Sequence, residues 1–144
     1  MTAVARYGGG EIVRRAVAVV TENVVEQLPP ALRMLGNLST GSDEDTQIVV
    51  DCGGVAAFKT LLGHAKDGLR KESCWALSNV MAGTIAQRMH VIRSGVFVPL
   101  IECMTNDAAP DVRKEATWAI CNVTDNTNDE LIAALLELGI VDAL

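Results

Sequence analysis

Aromatic side chains are scarce in this chain of 144 residues: two Trp, two Phe and one Tyr make up 3% of it. A large conventional core draws on more aromatic area than that. The apolar fraction of 49% is carried instead by Ala, Val, Leu and Ile, a palette that suits stacked helices. Long apolar runs are missing too. The longest, Ala16 to Val20 and Leu131 to Leu136, fall far short of the ~20 residues that cross a bilayer, so no membrane partner is expected and no signal peptide is recognisable. The four cysteines, Cys52, Cys74, Cys103 and Cys121, form no Cys-x-x-Cys pair, and His64 and His90 stand alone. No metal site and no cofactor are therefore expected, and the thiols read as reduced and buried, as in a cytosolic or nuclear protein. Lys and Arg (12) do not outnumber Asp and Glu (18), and the net charge of −6 argues against nucleic acid as a partner and favours a cationic one. Catalysis is not expected: no spacing sets a base beside Ser73, Thr84 or Cys121, and Gly8-Gly9-Gly10 lacks the Gly-Lys-Ser/Thr of a phosphate loop.

What is present is a repeat. Lys-Glu-x-x-Trp-x-x-x-Asn occurs as Lys71 to Asn79 and again as Lys114 to Asn122, and an imperfect relative, Arg33-Met34-Leu35-Gly36-Asn37, precedes both. The asparagines lie 42 and 43 residues apart, the period of helical solenoids of the armadillo or HEAT type. Other features fall into step. Gly53, Gly95 and Gly139 each end a short amphipathic segment, as expected of the residue that most easily adopts the left-handed conformation at a helix end. Second helices follow in Val55 to Leu62 and Val96 to Met104, with Pro99 in a first turn that tolerates it. Polar connectors lead to third helices starting near Leu69 and Val112. Three helices per unit is the armadillo arrangement.

The predicted fold is therefore all-α, a right-handed armadillo solenoid of about two full repeats with partial repeats at both ends. Unit ends are expected near residues 41, 83 and 125, followed by the start of a further repeat. Residues 1–29 fit least well. Gly8-Gly9-Gly10 reads as a flexible break and Glu11 to Leu28 as one Val-rich helix of an incomplete leading repeat, ended by Pro29-Pro30. Uncovered stacking faces at both ends predict self-association, which sedimentation velocity would show as a rise in sedimentation coefficient towards high micromolar concentration. A strictly monomeric profile would refute it.

Within the third helices, Ala76, Leu77 and Val80 match Ala119, Ile120 and Val123 as core positions. Trp75 and Asn79, like Trp118 and Asn122, are four residues apart and share a neighbouring arc, either a binding surface or the edge of the core. Glu72 and Glu115 near the helix starts suit the macrodipole without any binding role. They would equally neutralise a cation. Stacked about 8 to 10 Å apart, such helices carry a row of amides that can pair with the N–H and C=O of an extended peptide. Indoles in that row form slots for the stems of Lys and Arg, each contact contributing about 0.5 to 2 kcal/mol.

The two motif helices, the segment Pro30 to Gly41 and the following Asp43-Glu44-Asp45-Thr46-Gln47 closely resemble importin alpha (karyopherin alpha), over about Pro30 to Leu144. The resemblance implies a nuclear import adaptor, cytoplasmic and nuclear, that binds Lys/Arg-rich nuclear localisation signals in a Trp/Asn-lined concave groove. Arg33 in the place of a first Trp, followed by two intact copies, looks like that family's minor groove. Carried over, Asn37, Asn79 and Asn122 hold the peptide backbone, Trp75 and Trp118 sandwich basic side chains, Glu72 and Glu115 meet their charges, and Thr46 lines the site. Arg33 repels a ligand cation and pairs with a local carboxylate or a peptide carbonyl. Importin beta is implied as a partner only for a longer form carrying a basic N-terminal segment. The alternative is an armadillo scaffold that binds a protein partner without preference for basic sequences.

Overall fold

A computed structural model describes residues 8–125 and 128–143. Among them every regular element is helical. Three short helices, α3 (Asp43–Asp51), α6 (Ile85–Arg93) and α9 (Asp129–Glu137), open on the side chains of Ser42, Thr84 and Asn128. These accept hydrogen bonds from the backbone N–H groups of Asp45, Gln87 and Leu131 at 3.2, 3.1 and 2.9 Å, satisfying donors that a helix start leaves unpaired. Each closes before Gly53, Gly95 or Gly139, which take φ of 87°, 78° and 68° as the spacing predicts. Second helices follow in α4 (Gly54–Leu61) and α7 (Phe97–Asn106), and the short α10 (Ile140–Ala143) takes the same place after α9.

The third helices, α5 (Asp67–Met81) and α8 (Pro110–Thr124), begin two residues earlier than their first apolar positions suggest, because Asp67 and Pro110 are compatible with a first turn. Among the described residues two further α-helices precede α3. They are α1 (Gly9–Thr21) and α2 (Leu28–Leu38), a second-helix and third-helix pair. The helices α2, α5 and α8 lie side by side, α1 packs on α2, and α7 packs on α8. One continuous core of fully buried side chains, including Leu32, Leu35, Phe58, Leu77, Phe97 and Leu100, runs beneath them.

Two expectations for the first 29 residues are corrected. The predicted helix from Glu11 to Leu28 is broken after Thr21. Asn23, at φ 54°, closes a Schellman motif in which its N–H reaches Val20 O and the Val24 N–H reaches Val19 O, both at 3.1 Å. A single 3-10 turn, Val25–Gln27, then leads into α2, with Pro29 and Pro30 inside its first turn rather than before it. Asparagine is the one common residue besides glycine that ends a helix this way, and its short side chain is why. The Gly8 to Gly10 break is in fact a helix start: Gly8 is the left-handed N-cap and Gly9 is buried. The cysteine expectation holds for Cys74 and Cys103, which are buried, but Cys52 is half-buried and Cys121 is exposed on α8. Contact with the Cys103 thiol, together with burial, pushes the Cys74 thiol well above the ordinary thiol range, so it is held protonated and inert.

Successive connectors are tied by a buried ion pair. Arg70, at the start of α5, donates Nε and Nη2 to Asp107 Oδ2 and Oδ1 at 2.7 and 2.9 Å, while its Nη1 donates to the carbonyls of His64 and Ala65 at 2.9 and 3.0 Å. Arg113 stands at the same place on α8 and donates Nη1 to the carbonyls of Asp107 and Ala108. The bidentate geometry ties the start of α5 to the connector that leads into α8.

Candidate peptide-binding groove

The outer arc of α2, α5 and α8 carries the ladder. Arg33 and Asn37 project from α2 and are exposed, while Glu72, Trp75 and Asn79 on α5 and Glu115 and Asn122 on α8 are half-buried. Trp118 is 57% exposed, an unusual state for an indole on a packed helix. A groove of about 420 Å³ is lined by Arg33, Asn37, Lys71, Glu72, Trp75 and Glu115. Six side chains from three helices thus meet although they span more than eighty positions of sequence. A larger hollow of about 690 Å³ adjoins it at the connector edge and shares Glu72 and Gly68 with it.

The asparagine amides of α5 and α8 each tie their helix to the one before it. Asn79 Nδ2 donates to Gly36 O at 3.2 Å and Asn122 Nδ2 to Ser78 O at 3.0 Å, each time reaching the carbonyl one residue before the asparagine of the preceding third helix. In α2 this carbonyl lies in the last turn, where the backbone supplies no partner: the N–H of Thr40 turns instead to Asn37 O. Each amide therefore ties neighbouring helices with one donor hydrogen, and its oxygen and other hydrogen have no intramolecular partner among the described residues. The sequence reading had the amides facing the ligand only. The missing part was the neighbouring carbonyl, which no local spacing indicates.

Two site assignments change. Glu72 was expected to meet a ligand cation, but Arg33 occupies it in a two-pronged pair, with Nε 2.8 Å from Oε2 and Nη2 on Oε1. That hydrogen bond and the carboxylate charge hold the Arg33 guanidinium above its ordinary pKa. Arg33 thus pairs with a local carboxylate, and the charge of Glu72 is neutralised within the groove it lines. Glu115 has no ion-pair partner among the described residues. Thr46 does not line the groove. It is 3% exposed, and its hydroxyl donates to Ser39 O at 3.3 Å, tying α3 to the end of α2. A threonine in a first helical turn gives no sign from sequence of which way its side chain faces.

Sequence reasoning missed Lys71 and Gly68 in the groove lining, and Gly36 beneath it. Lys71 lines the wall and reaches Asp111 Oδ2 at 3.3 Å. Its signal was available, since it lies one helical turn before Trp75 and so on the same arc. Gly36 lies buried under the Trp75 ring, and only its position beside Asn37 hinted at a role. Among the described residues no cluster of His, Cys, Asp or Glu could hold a metal ion, and no helix is long and apolar enough to cross a membrane.

Comparison with known proteins agrees with the fold. The profile described as Armadillo/beta-catenin-like repeat matches residues 42–82 and 84–125. Importin subunit alpha-1a of Oryza sativa subsp. japonica is 40% identical over 75 residues, 51% of this chain and 14% of that protein. Importin subunit alpha-2 of Arabidopsis thaliana is 37% identical over 98 residues, 67% of this chain and 18% of that protein. The chain thus spans less than a fifth of the length of these curated relatives. Among solved structures, a designed armadillo repeat protein in complex with the peptide (KR)4 superposes with a TM-score of 0.82 at 29% identity, covering 91% of this chain and 54% of that one. An engineered protein superposes with a TM-score of 0.84 at 30% identity, covering 98% of this chain and 55% of that one.

Proposed function

Because this chain belongs to the armadillo-repeat family, we propose that it is a non-catalytic peptide-recognition module of the nuclear import adaptor type, binding extended Lys/Arg-rich nuclear localisation signals across α2, α5 and α8. The observation that carries this reading is the pair of Trp and Asn rungs at one register on adjacent helices, Trp75 with Asn79 and Trp118 with Asn122, their amide oxygens free of intramolecular bonds among the described residues. Similarity to importin alpha subunits and to a designed armadillo protein holding (KR)4 supports it. An amide row aligns a main chain without reading its side chains, the indole faces attract a cation, and Glu115 offers a carboxylate that no ion pair among the described residues occupies. Arg33 closes the α2 end by occupying Glu72, which corresponds to the minor-groove region of such an adaptor. Operation in cytoplasm and nucleus follows from the same reading, as does recruitment of importin beta only by a longer form.

A scaffold without basic preference is the second reading. It is favoured by the Arg33–Glu72 pair and by Lys71, which with Glu115 leave the groove lining with no net charge. A titration separates the two. Tryptophan fluorescence should change on adding a Lys/Arg-rich peptide and stay constant on adding its charge-reversed counterpart, and affinity should fall as salt rises from 50 to about 500 mM, because charge supplies part of the attraction. Equal response to both peptides would overturn the import-signal reading and leave the scaffold.

A further inference from the structure

Gly36 is buried beneath the ring of Trp75: a Cβ added to it would fall 2.3 Å from Cζ3 and 2.8 Å from Cε3 of the indole. The same residue's carbonyl accepts the Asn79 amide. One position of α2 therefore seats both ladder residues of α5. Ser78 is its counterpart on the next rung, since its carbonyl accepts the Asn122 amide. Ser78 does have a Cβ, it is 5% exposed, and its hydroxyl is folded back onto Trp75 O at 2.6 Å. An indole laid on Ser78 as Trp75 is laid on Gly36 would overlap that Cβ. Trp118 cannot take the same seat, and it stands 57% exposed where Trp75 is half-buried.

We propose that Gly36 is a positioning residue of the groove, and that the Gly36/Ser78 difference makes the two rungs unequal: Trp75 is a preset wall and Trp118 an adjustable one that closes on the ligand. A wall fixed before binding spares the entropy of ordering it, so the Trp75 rung contributes more affinity and the Trp118 rung tolerates more variety in the basic side chain it meets. The affinity part rests on the peptide-binding reading above. The seating does not.

The test uses the full chain with one tryptophan at a time, in Trp118→Phe and Trp75→Phe backgrounds. In the unliganded protein, acrylamide should quench Trp75 less than Trp118. Gly36→Ala should raise quenching of Trp75 towards that of Trp118, and Ser78→Gly should lower quenching of Trp118. With an alternating Lys/Arg octapeptide, Gly36→Ala should weaken binding by about tenfold, the size of one lost cation–aromatic contact. In a Trp75→Ala background the same substitution should add no further loss, whereas a purely structural role would cost the same in both. Unchanged quenching of Trp75 in Gly36→Ala, or a loss of affinity that persists without Trp75, overturns the proposal. Should Gly36→Ala fail to fold, Ser78→Gly decides, and unchanged quenching of Trp118 overturns it. If the parent chain binds no basic peptide, the functional reading fails while the quenching results still decide the seating.

Discussion

Substituting both Asn79 and Asn122 with alanine is expected to reduce affinity for a Lys/Arg-rich peptide by about a hundredfold or more, since up to four main-chain hydrogen bonds contribute roughly 0.5 to 1.5 kcal/mol each. For a groove of only three rungs that is a loss of detectable binding by isothermal calorimetry. The same substitutions remove the bonds to Gly36 O and Ser78 O, of 3.2 and 3.0 Å, so a stability cost is expected alongside. It should amount to about 1 kcal/mol per site, and more for Asn79, because the Gly36 carbonyl has no helical partner to fall back on. Ser78 O still receives the Ala82 N–H at 3.0 Å, so Asn122→Ala should be the milder of the two. Measuring thermal unfolding beside peptide binding separates the two roles. Lowered stability with affinity intact, at a temperature where the double variant is folded, would mean that the amides serve the solenoid and not a ligand.

The largest effect on stability is expected at Arg70. Arg70→Met leaves Asp107, whose side chain is 6% exposed, as a buried carboxylate without its cation. Breaking such a pair by removing one partner costs about 3 kcal/mol or more, roughly a 10 °C drop in Tm for a chain of this size. Replacing both partners, as Arg70→Met with Asp107→Leu, should recover much of that loss, because the penalty lies in the orphaned charge rather than in the missing attraction. The pair also predicts an acid limb. The guanidinium of Arg70 holds the Asp107 carboxyl below its usual pKa, so the folded state binds that proton less readily than the unfolded chain does. Its stabilisation is complete above the unfolded carboxylate value of about 3.9 and is lost as pH falls below it towards the folded value. Urea midpoints measured from pH 7 down to 3 should fall in the parent chain and fall less steeply in Asp107→Asn, which has no such proton to take up. Parallel pH profiles for the two would show that the pair does not contribute as described.

The fold was legible to an unusual degree, for a physical reason. A solenoid is built from local contacts and near-neighbour stacking, so one period in the sequence carries most of its architecture. Gly53, Gly95 and Gly139 marked helix ends because a positive φ selects for glycine almost irrespective of tertiary context. Asn23 makes the same stop but is a residue with many other uses, so the break after Thr21 was read as continuous helix. The motif spacing likewise placed Trp75, Asn79, Trp118 and Asn122 on one arc, since helix geometry alone decides which residues share a face.

What the sequence could not decide was which partner each of these side chains takes. That Glu72 belongs to Arg33, that Thr46 turns inward to Ser39 O, and that the amides of Asn79 and Asn122 reach the preceding helix all depend on distances between residues 7 to 44 positions apart. Those distances follow from how α2, α5 and α8 are rotated against each other, which a set of buried contacts fixes collectively. The sequence by itself determined an all-helical armadillo array and the arc bearing its Trp and Asn ladder, because period and helix pitch are properties of the chain. Only the tertiary structure decided that one carboxylate is already taken, that Glu115 has no ion-pair partner among the described residues, and that a bare glycine seats one tryptophan and not the other, because these are outcomes of close approach between neighbouring repeats.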